Sequence, residues 1–378
     1  MSQQQIIYLD NNATTRVDER VLNAMLPYFS DIYANASSSH IAGLTVNEAV
    51  ENAAWQTANL IGAKEDEIIF TSGATESINL AIKGLANQER KHIITISTEH
   101  KAVLKTCEFM ESFDFEVTYL PVTSSGFLDL SVLKKAITDE TLLVCVMMTN
   151  NETGVQQNIT AISEIAHAKN ALFMSDATQS VGKIPVDVTS LGIDLLPFSA
   201  HKFYGPKGIG ALYISAKAKI KLTPQIHGGN QQRKLRSGTL NVPGIIGLGK
   251  ASEIALNEMK SDEEEISKLR DQLEKGLLQF EGSFVNGAIS ERIYNTTNIC
   301  FPGVNSETLI IALQHIAVSN GSSCSAVTSE PSHVLKALGL SDENALSSIR
   351  FSLGKFTTSE EIEETIERVL ALVRQLRQ

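Results

Sequence analysis

Cysteine is scarce in this sequence, and its four cysteines, Cys107, Cys145, Cys300 and Cys324, form no CxxC pair. Disulfide frameworks and closed zinc sites need paired or closely spaced cysteines, so this spacing argues against both. The sequence also lacks a charged-then-apolar leader at its N-terminus and any apolar run long enough to span a bilayer. These absences predict a soluble cytoplasmic protein that makes no membrane contact and holds no intrinsic metal.

Positive charge is also in short supply. The chain has 32 Lys and Arg residues against 43 Asp and Glu residues, which gives a net charge of −11. A predominantly acidic surface argues against direct nucleic-acid binding. Hydrophobic residues make up 43% of the 378 positions, enough for a large core, and the length predicts two domains.

Strand-like runs alternate with helical patterns from about residue 60 to residue 215. This alternation predicts an α/β fold with a mainly parallel sheet covered by helices. The seven strand candidates are 67–71, 92–97, 116–120, 142–148, 172–176, 195–199 and 210–214. The helical candidates between them include 76–84, 102–110, 130–137 and 159–167.

The pattern changes from about residue 245 onwards. A long charged helix is predicted at roughly 245–280, followed by short strands and by closing helices at 331–338 and 359–377. We therefore expect a large domain of residues 15–245. A smaller α+β domain would combine residues 1–14 with residues 246–378.

Lys202 is the most informative single residue. It follows the apolar strand 195–199 and opens a glycine-rich segment, a setting that suits a Schiff-base amine beside a phosphate. A lone lysine in such a loop is more often simply exposed. However, Asp176 ends another apolar strand 26 residues earlier, and a pyridoxal phosphate (PLP) enzyme needs a carboxylate that keeps the pyridine nitrogen protonated. The two residues together predict a PLP site.

Polar residues follow other predicted strands as well. The segment TSGATES at 71–77 opens a helix, where backbone N–H groups can bind a phosphate or where Ser72 or Thr75 can serve as an ordinary cap. His100 can stack on a cofactor ring or move protons, or it can be a plain loop histidine. The amides of NNETG at 150–154 can bind a ligand or form a turn. All of these positions fall at the same edge of a parallel sheet, which favours a shared site.

These motifs resemble those of the cysteine desulfurases, in the class V aminotransferase branch of the fold-type I PLP enzymes. The resemblance runs from YLDNNATT at residues 8–15 to SIRFSLG at residues 348–354 and so covers nearly the whole chain. It implies a fold-type I PLP-dependent transferase that forms a homodimer. It also implies conversion of L-cysteine into L-alanine, with the sulfur passed to an acceptor protein.

The resemblance also assigns roles to individual residues. Lys202 would form the Schiff base with PLP, Asp176 would pair with the pyridinium nitrogen, and Gln179 would contact the phenolic oxygen. His100 would stack on the ring and share in catalysis. Asn151 and Arg350 would bind the substrate carboxylate, for which an arginine offers a bidentate clamp. The phosphate would be held by Ala74, Thr75, Ser199 and His201, and by Thr239 from the other subunit.

Cys324 is the nucleophile that the resemblance implies, since the family has its reactive cysteine in a mobile loop of this small-residue composition. L-Cysteine would displace Lys202 from the cofactor, and Lys202 would remove the Cα proton. The Cys324 thiolate would then attack the substrate sulfur and keep it as a persulfide, with His100 near enough to take the thiol proton. Apart from this persulfide or a transient iron–sulfur contact at Cys324, no metal contact is expected.

Two departures from the family pattern leave the sulfur acceptor open. Ala36 follows Asn35 where the family commonly has Asn-Pro, and the sequence stops at Gln378, where housekeeping iron–sulfur enzymes carry a tail that docks their scaffold. The acceptor can therefore belong to iron–sulfur cluster assembly, or to a dedicated system for tRNA thiolation or DNA phosphorothioation. Rival functions are selenocysteine lyase, another class V aminotransferase and a non-catalytic scaffold.

Overall fold

The computed structural model describes residues 6–321 and 330–377. The strands in this part of the chain are β1 Ile7–Tyr8, β2 Ile68–Thr71, β3 His92–Ile96, β4 Glu116–Leu120, β5 Thr141–Cys145, β6 Leu172–Met174, β7 Leu195–Ser199, β8 Gly210–Ile214, β9 Phe284–Val285, β10 Thr296–Cys300, β11 Ile316–Ala317 and β12 Ser348–Ser352. The helices are α1 Glu19–Met25, α2 Pro27–Ser30, α3 Ile41–Leu60, α4 Ala74–Lys83, α5 Lys101–Glu111, α6 Leu130–Ala136, α7 Ile159–His167, α8 Val242–Leu277, α9 Ser306–Leu313, α10 His333–Ala337, α11 Asp342–Leu346 and α12 Ser359–Leu376.

The largest sheet has seven strands in the order β2-β8-β7-β6-β5-β3-β4. Only β8 runs antiparallel to its neighbours, β2 and β7. Helices cover both faces of this sheet, so β3, β5 and β7 are buried throughout and read as nearly continuous apolar runs. The α/β fold and the mainly parallel seven-stranded sheet predicted from the sequence are confirmed.

Three predicted strands are shorter than expected at their carboxyl ends. The candidate 92–97 ends one residue early, at Ile96, as strand β3. The candidate 142–148 ends at Cys145 as strand β5, and the candidate 172–176 ends at Met174 as strand β6. Their chains still run side by side, because Val146 N–H donates to Met174 O at 3.1 Å and Met148 N–H donates to Asp176 O at 2.9 Å. Beyond these two hydrogen bonds the backbones leave the sheet. The side chains that follow are therefore available to a binding site.

The long helix α8 begins three residues before the predicted start and ends at Leu277. Asn241 caps it by accepting from Gly244 N–H at 3.2 Å, and a proline in the first turn suits a helix start. Its apolar side packs against α3 and α1 near the large sheet and against α12 further along. Within residues 6–321 and 330–377, neither this helix nor any other is long and apolar enough to cross a membrane.

The C-terminal part forms a second, smaller sheet in the order β12-β10-β9. Strand β1 pairs with β11, and Asp10 bridges to Ser352, so the start of the chain joins the C-terminal part. Leu9, Ile299 and Phe351 are buried together in the hydrophobic core of this part. The division into residues 15–245 on one side and residues 1–14 with 246–378 on the other remains our proposal, and this pairing supports it.

Candidate active site

The carboxyl ends of β2, β3, β5, β6 and β7 meet at one edge of the large sheet, beside a cavity of about 630 Å3. Small-molecule sites commonly have this size. The polar segments that follow these strands all contribute to its wall. The site candidates from the sequence that line it are Ala74, Thr75, His100, Asn151, Asp176, Gln179, Ser199, His201, Lys202 and Arg350.

Two of the site candidates are not among the lining residues. Thr239 is exposed on the segment that precedes α8 and does not line the cavity of its own chain. Cys324 lies outside the described residues. The cavity wall does include Ser319 and Gly321, the latter three positions before Cys324 in the sequence.

Lys202 lies on a short turn, Ala200–Lys202, directly after β7. Its Nζ donates to the backbone oxygens of Asn12 and Ala13 at 2.7 and 2.8 Å. Burial and the Arg350 guanidinium lower the pKa of Lys202 to about 8, against the opposing effect of Asp176. An amine with a lowered pKa is more often unprotonated at neutral pH, as a nucleophile or base must be.

Residues of the N-terminal segment form hydrogen bonds with the turn that carries Lys202. Thr15 N–H donates to His201 O at 2.9 Å, and its hydroxyl accepts from Tyr204 N–H at 2.8 Å. Tyr204 has a φ of 65°, an unfavourable value for a tyrosine, so these contacts stabilise a backbone shape that is otherwise costly. The position of Lys202 therefore depends on residues almost two hundred positions away.

The start of α4 forms an anion cradle. Its N-cap is Gly73 with a φ of 153°, and neither Ser72 nor Thr75 caps the helix, contrary to the ordinary-cap alternative. Ala74 N–H donates to Ser199 Oγ at 2.7 Å. A Cβ on Gly210 would lie 2.7 Å from Gly73 Cα, so glycine is required for this close approach.

The donors around this cradle suit a phosphate. The first-turn residues of α4, which have free backbone N–H groups, line the cavity together with Ser199 and Lys207. The Glu76 carboxylate also lies there, but Arg236 pairs with it at 2.9 Å and offsets its charge. Burial and nearby lysines lower the pKa of His201 to about 4, so its ring is neutral before an anion binds.

Asp176 follows β6 and is 5% exposed. Its Oδ1 accepts from Thr178 N–H at 2.9 Å and from the Thr178 hydroxyl at 2.5 Å. These two bonds fix the carboxylate at the cavity wall. An oriented carboxylate of this kind fits a partner with a protonated ring nitrogen.

His100 caps helix α5 and faces the cavity. Its Nδ1 accepts from Ala102 N–H at 3.1 Å, so the neutral ring carries its proton on Nε2. Burial and the Lys202 charge lower the pKa of His100, which keeps the ring neutral. In this tautomer Nε2 carries the proton and donates a hydrogen bond. Taking up a thiol proton would require the ring to give up its bond to Ala102.

Arg350 is a residue of the small sheet that lines the cavity. It lies on β12 and is 5% exposed. Its Nη1 donates to Asn151 O at 3.0 Å, and its Nη2 donates to Asp10 Oδ1 at 2.6 Å. Among the described residues, the buried Nε has no hydrogen-bond partner. Arg350 lines the cavity, and its Nη1 and Nη2 each carry a second N–H that can bind a ligand carboxylate.

No sequence pattern pointed to three further polar residues at or beside the site, Asn12, Glu152 and Lys183. Asn12 and Glu152 belong to the motifs YLDNNATT and NNETG, which marked the region without indicating a role. Lys183 lies four residues after Gln179 in a turn, where a lysine is normally exposed. Yet it is 4% exposed, so only the tertiary structure reveals it.

Glu152 lies between the two described segments that flank residues 322–329. Its Oε2 accepts from the Ser332 hydroxyl at 2.5 Å, and a Cβ on Gly321 would collide with the same oxygen. Ser332 in turn caps helix α10. Burial raises the pKa of Glu152 to about 7, against the lowering effects of Ser332 and Arg350.

Glu152→Gln is expected to change how stability depends on pH. Because the folded pKa lies above the ordinary value near 4.5, the native state holds an extra proton, and this carboxyl makes stability fall as pH rises from about 4.5 to about 7. The variant lacks this dependence and should gain about 2 to 3 kcal/mol relative to wild type between pH 4.5 and pH 8. Urea unfolding across this range measures it. The exposed Glu89→Gln is the control, and parallel wild-type and Glu152→Gln curves would contradict the expectation.

Between residues 6 and 321 and between 330 and 377, no three His, Cys, Asp or Glu side chains are grouped so that they could hold a metal ion. The three cysteines in these parts, Cys107, Cys145 and Cys300, are buried and unpaired. Their setting is that of packed core thiols.

The chain is similar to a well-populated group of known proteins. The class-V aminotransferase family matches residues 7–365. The cysteine desulfurase IscS of Pasteurella multocida (strain Pm70) is 52% identical over 378 residues, covering 98% of this chain and 94% of that protein. A solved NifS-like protein is 39% identical with a TM-score of 0.92, covering 98% of this chain and 100% of its own. The solved structure of SspA in complex with cysteine is also 39% identical, with a TM-score of 0.83 over 93% of this chain and 100% of its own.

Proposed function

The chain belongs to the class-V aminotransferase family, and we propose that it is a PLP-dependent cysteine desulfurase that keeps the sulfur of L-cysteine on Cys324. One observation carries the proposal: Lys202, Arg350 and Gly321 border one cavity. Cys324 follows Gly321 in the sequence with only two residues between them. A lysine base, a carboxylate clamp and a thiol can therefore meet at one substrate.

The cavity residues fit PLP. The N–H and hydroxyl groups at the start of α4 would hold its phosphate, Asp176 would face its ring nitrogen, and Lys202 would join its aldehyde. His100 would cover the ring, and Gln179 would donate to its phenolic oxygen. When bound, PLP supplies an electron-accepting ring that makes the substrate Cα proton acidic.

The chain's own residues then orient the substrate and move protons. Arg350 and Asn151, which both line the cavity, bind the substrate carboxylate and so direct the thiol toward the side where Gly321 lies. Lys202, with a lowered pKa, takes up the Cα proton. In the tautomer that its cap bond favours, His100 Nε2–H donates a hydrogen bond, and the ring has no free lone pair with which to take up a proton.

Cys324 is the sulfur acceptor in this proposal. Its thiolate attacks the substrate sulfur, a sulfur–sulfur bond forms, and the bond between the substrate sulfur and Cβ breaks. The electron pair of that bond stays on Cβ, which takes up a proton and leaves as the methyl group of alanine. Cys324 ends as a persulfide, so atoms and electrons balance without an added oxidant or reductant.

We further propose that the protein works as a homodimer. Several large apolar side chains are exposed within a short stretch of the N-terminal helices, namely Leu22, Leu26, Phe29, Tyr33, Ile41 and Leu44. Exposed apolar patches of this kind mark protein interfaces. Thr239 is also exposed and away from its own cavity, so it is available to the partner's phosphate site. Sedimentation velocity tests this, and a fully active monomer would contradict it.

The protein that accepts the sulfur from Cys324 can belong to iron–sulfur cluster assembly or to a dedicated thiolation or phosphorothioation system. The name IscS of the similar Pasteurella multocida protein favours the first. The cytoplasmic location predicted from the sequence stays a prediction.

The direct test is to incubate the purified protein with PLP, L-cysteine and a thiol reductant and to measure both products. A cysteine desulfurase forms alanine and sulfide in equal amounts. Formation of alanine from L-selenocysteine alone would indicate a selenocysteine lyase, and transfer of the amino group to a keto acid would indicate an aminotransferase. A protein that binds no PLP and forms no alanine would support the alternative function of a non-catalytic scaffold.

A further inference from the structure

A second lysine is buried beside the site, and no step described so far uses it. Lys183 is 4% exposed, and its Nζ donates to Gln179 Oε1 at 2.7 Å and to Asn12 Oδ1 at 3.3 Å. Both partners are uncharged side-chain amides. Burying an amine of this kind is costly, and burial together with the cations of Lys202 and Arg350 lowers the pKa of Lys183. A residue retained at this cost calls for a functional reason.

The hydrogen bonds of Lys183 determine which way the Gln179 amide points. Together with Asn295 Nδ2, which also donates to Asn12 Oδ1 at 3.3 Å, they determine the orientation of the Asn12 amide. An ammonium only donates, and a neutral amine still offers two N–H groups, which match the two oxygens that it contacts. Oxygen therefore faces Lys183 in both amides, and nitrogen faces the other way. Gln179 Nε2 accordingly donates to Asn12 O at 2.9 Å. Asn12 Nδ2 donates to Thr296 Oγ1 at 2.9 Å and to Asn151 O at 3.2 Å.

These contacts converge on the reactive lysine. Asn12 O, which accepts from Gln179, also accepts from Lys202 Nζ at 2.7 Å. A reversed Gln179 amide would set its oxygen against this carbonyl, two acceptors at hydrogen-bond distance, and would turn an acceptor instead of a donor toward the cavity. Gln179 and Asn12 both line the cavity, so the orientation set by Lys183 decides what a ligand meets there.

We propose that Lys183 is a positioning residue that orients the Gln179 amide, and with it Asn12, so that an N–H donor faces the cofactor beside Lys202. The proposal rests on the proposed function in so far as it takes PLP as the ligand. Lys183 itself touches neither substrate nor cofactor in this account, and it acts only through the two amides.

A double-mutant cycle on PLP binding tests this. Lys183→Met, which keeps the length and removes the donor, is compared with Gln179→Ala and with the double variant, all as full-length protein reloaded with PLP. Each single variant is expected to raise the PLP dissociation constant about tenfold, the effect of one charge-assisted hydrogen bond. In the double variant the constant should rise no further than in Gln179→Ala, because Lys183 has lost the amide that it orients. The visible absorption of bound PLP should shift in both single variants.

The control is Lys91→Met, which removes a half-buried lysine that donates to the backbone oxygen of Ala86 far from the site. It should leave PLP binding unchanged. Lys183→Gln keeps an N–H donor on a side chain that is one bond shorter, and it should restore most of the binding that Lys183→Met loses. If Lys183→Met does not fold, Lys183→Gln is compared with wild type in the same cycle, and it should bind PLP within about threefold of wild type.

Additive losses in the cycle would overturn the proposal, since Lys183 would then act independently of Gln179. Unchanged PLP binding in Lys183→Met would overturn it as well. Failure of the proposed function is a separate result: a wild-type protein that binds PLP but forms no alanine leaves the cycle intact, because the cycle measures binding. A wild-type protein that binds no PLP would overturn both.

Discussion

Lys202→Ala is expected to lower the rate of alanine formation from L-cysteine by about four orders of magnitude. In the proposed reaction, the variant loses both the amine that joins PLP and the base that takes up the substrate Cα proton. The Lys202 amine is suited to act as a base, because burial and Arg350 lower its pKa to about 8. Alanine release at saturating cysteine and PLP measures the effect.

Two controls separate this loss from a general defect. Lys169→Ala removes a surface lysine that pairs with Asp139, and it should retain the wild-type rate. Added ethylamine should restore part of the Lys202→Ala rate by supplying a base to the space left by the side chain. A Lys202→Ala rate within tenfold of wild type would show that another group removes the proton.

Cys324→Ala is expected to reduce alanine formation by about a thousandfold or more, because no thiolate remains to attack the substrate sulfur. PLP binding, and the absorption change when L-cysteine is added, should persist, since Lys202, Asp176 and Arg350 are intact. This combination of normal binding and failed turnover distinguishes a sulfur acceptor from a residue that maintains the cavity.

Cys107→Ala is the matched control for this variant. Burial raises the pKa of the Cys107 thiol to about 12, and burial also raises the pKa of Cys145 and Cys300, so none of the three forms a thiolate near neutral pH. Cys107→Ala should keep the wild-type rate. Activity lost equally in Cys107→Ala and Cys324→Ala would contradict a specific role for Cys324.

The large sheet was predictable because its strands carry a local signal. Buried parallel strands read as continuous apolar runs, and the polar residues that follow them, such as Asp176 and His100, necessarily share one sheet edge. The antiparallel direction of β8 was not predictable, since its sequence carries the same apolar pattern as its neighbours.

The contacts that orient the site residues could not be predicted, for a different reason. Gln179 meets Asn12 across 167 positions of sequence, and Arg350 meets Asp10 across 340, so their partners depend on the packing of the whole chain. Burial of Lys183 and Glu152 runs against the usual exposure of charged residues. Sequence patterns and the family resemblance pointed to most of the residues that line the cavity, whereas the contacts that orient them became visible only in three dimensions.

The most direct measurement uses L-cysteine labelled at sulfur, mixed in equal amount with the PLP-loaded protein in the absence of reductant and acceptor. Mass spectrometry of the digested protein then locates the label while alanine is counted. The account predicts one labelled sulfur on the Cys324 peptide for each alanine formed. Alanine formed with the label only in solution, or on Cys107, Cys145 or Cys300, would contradict it.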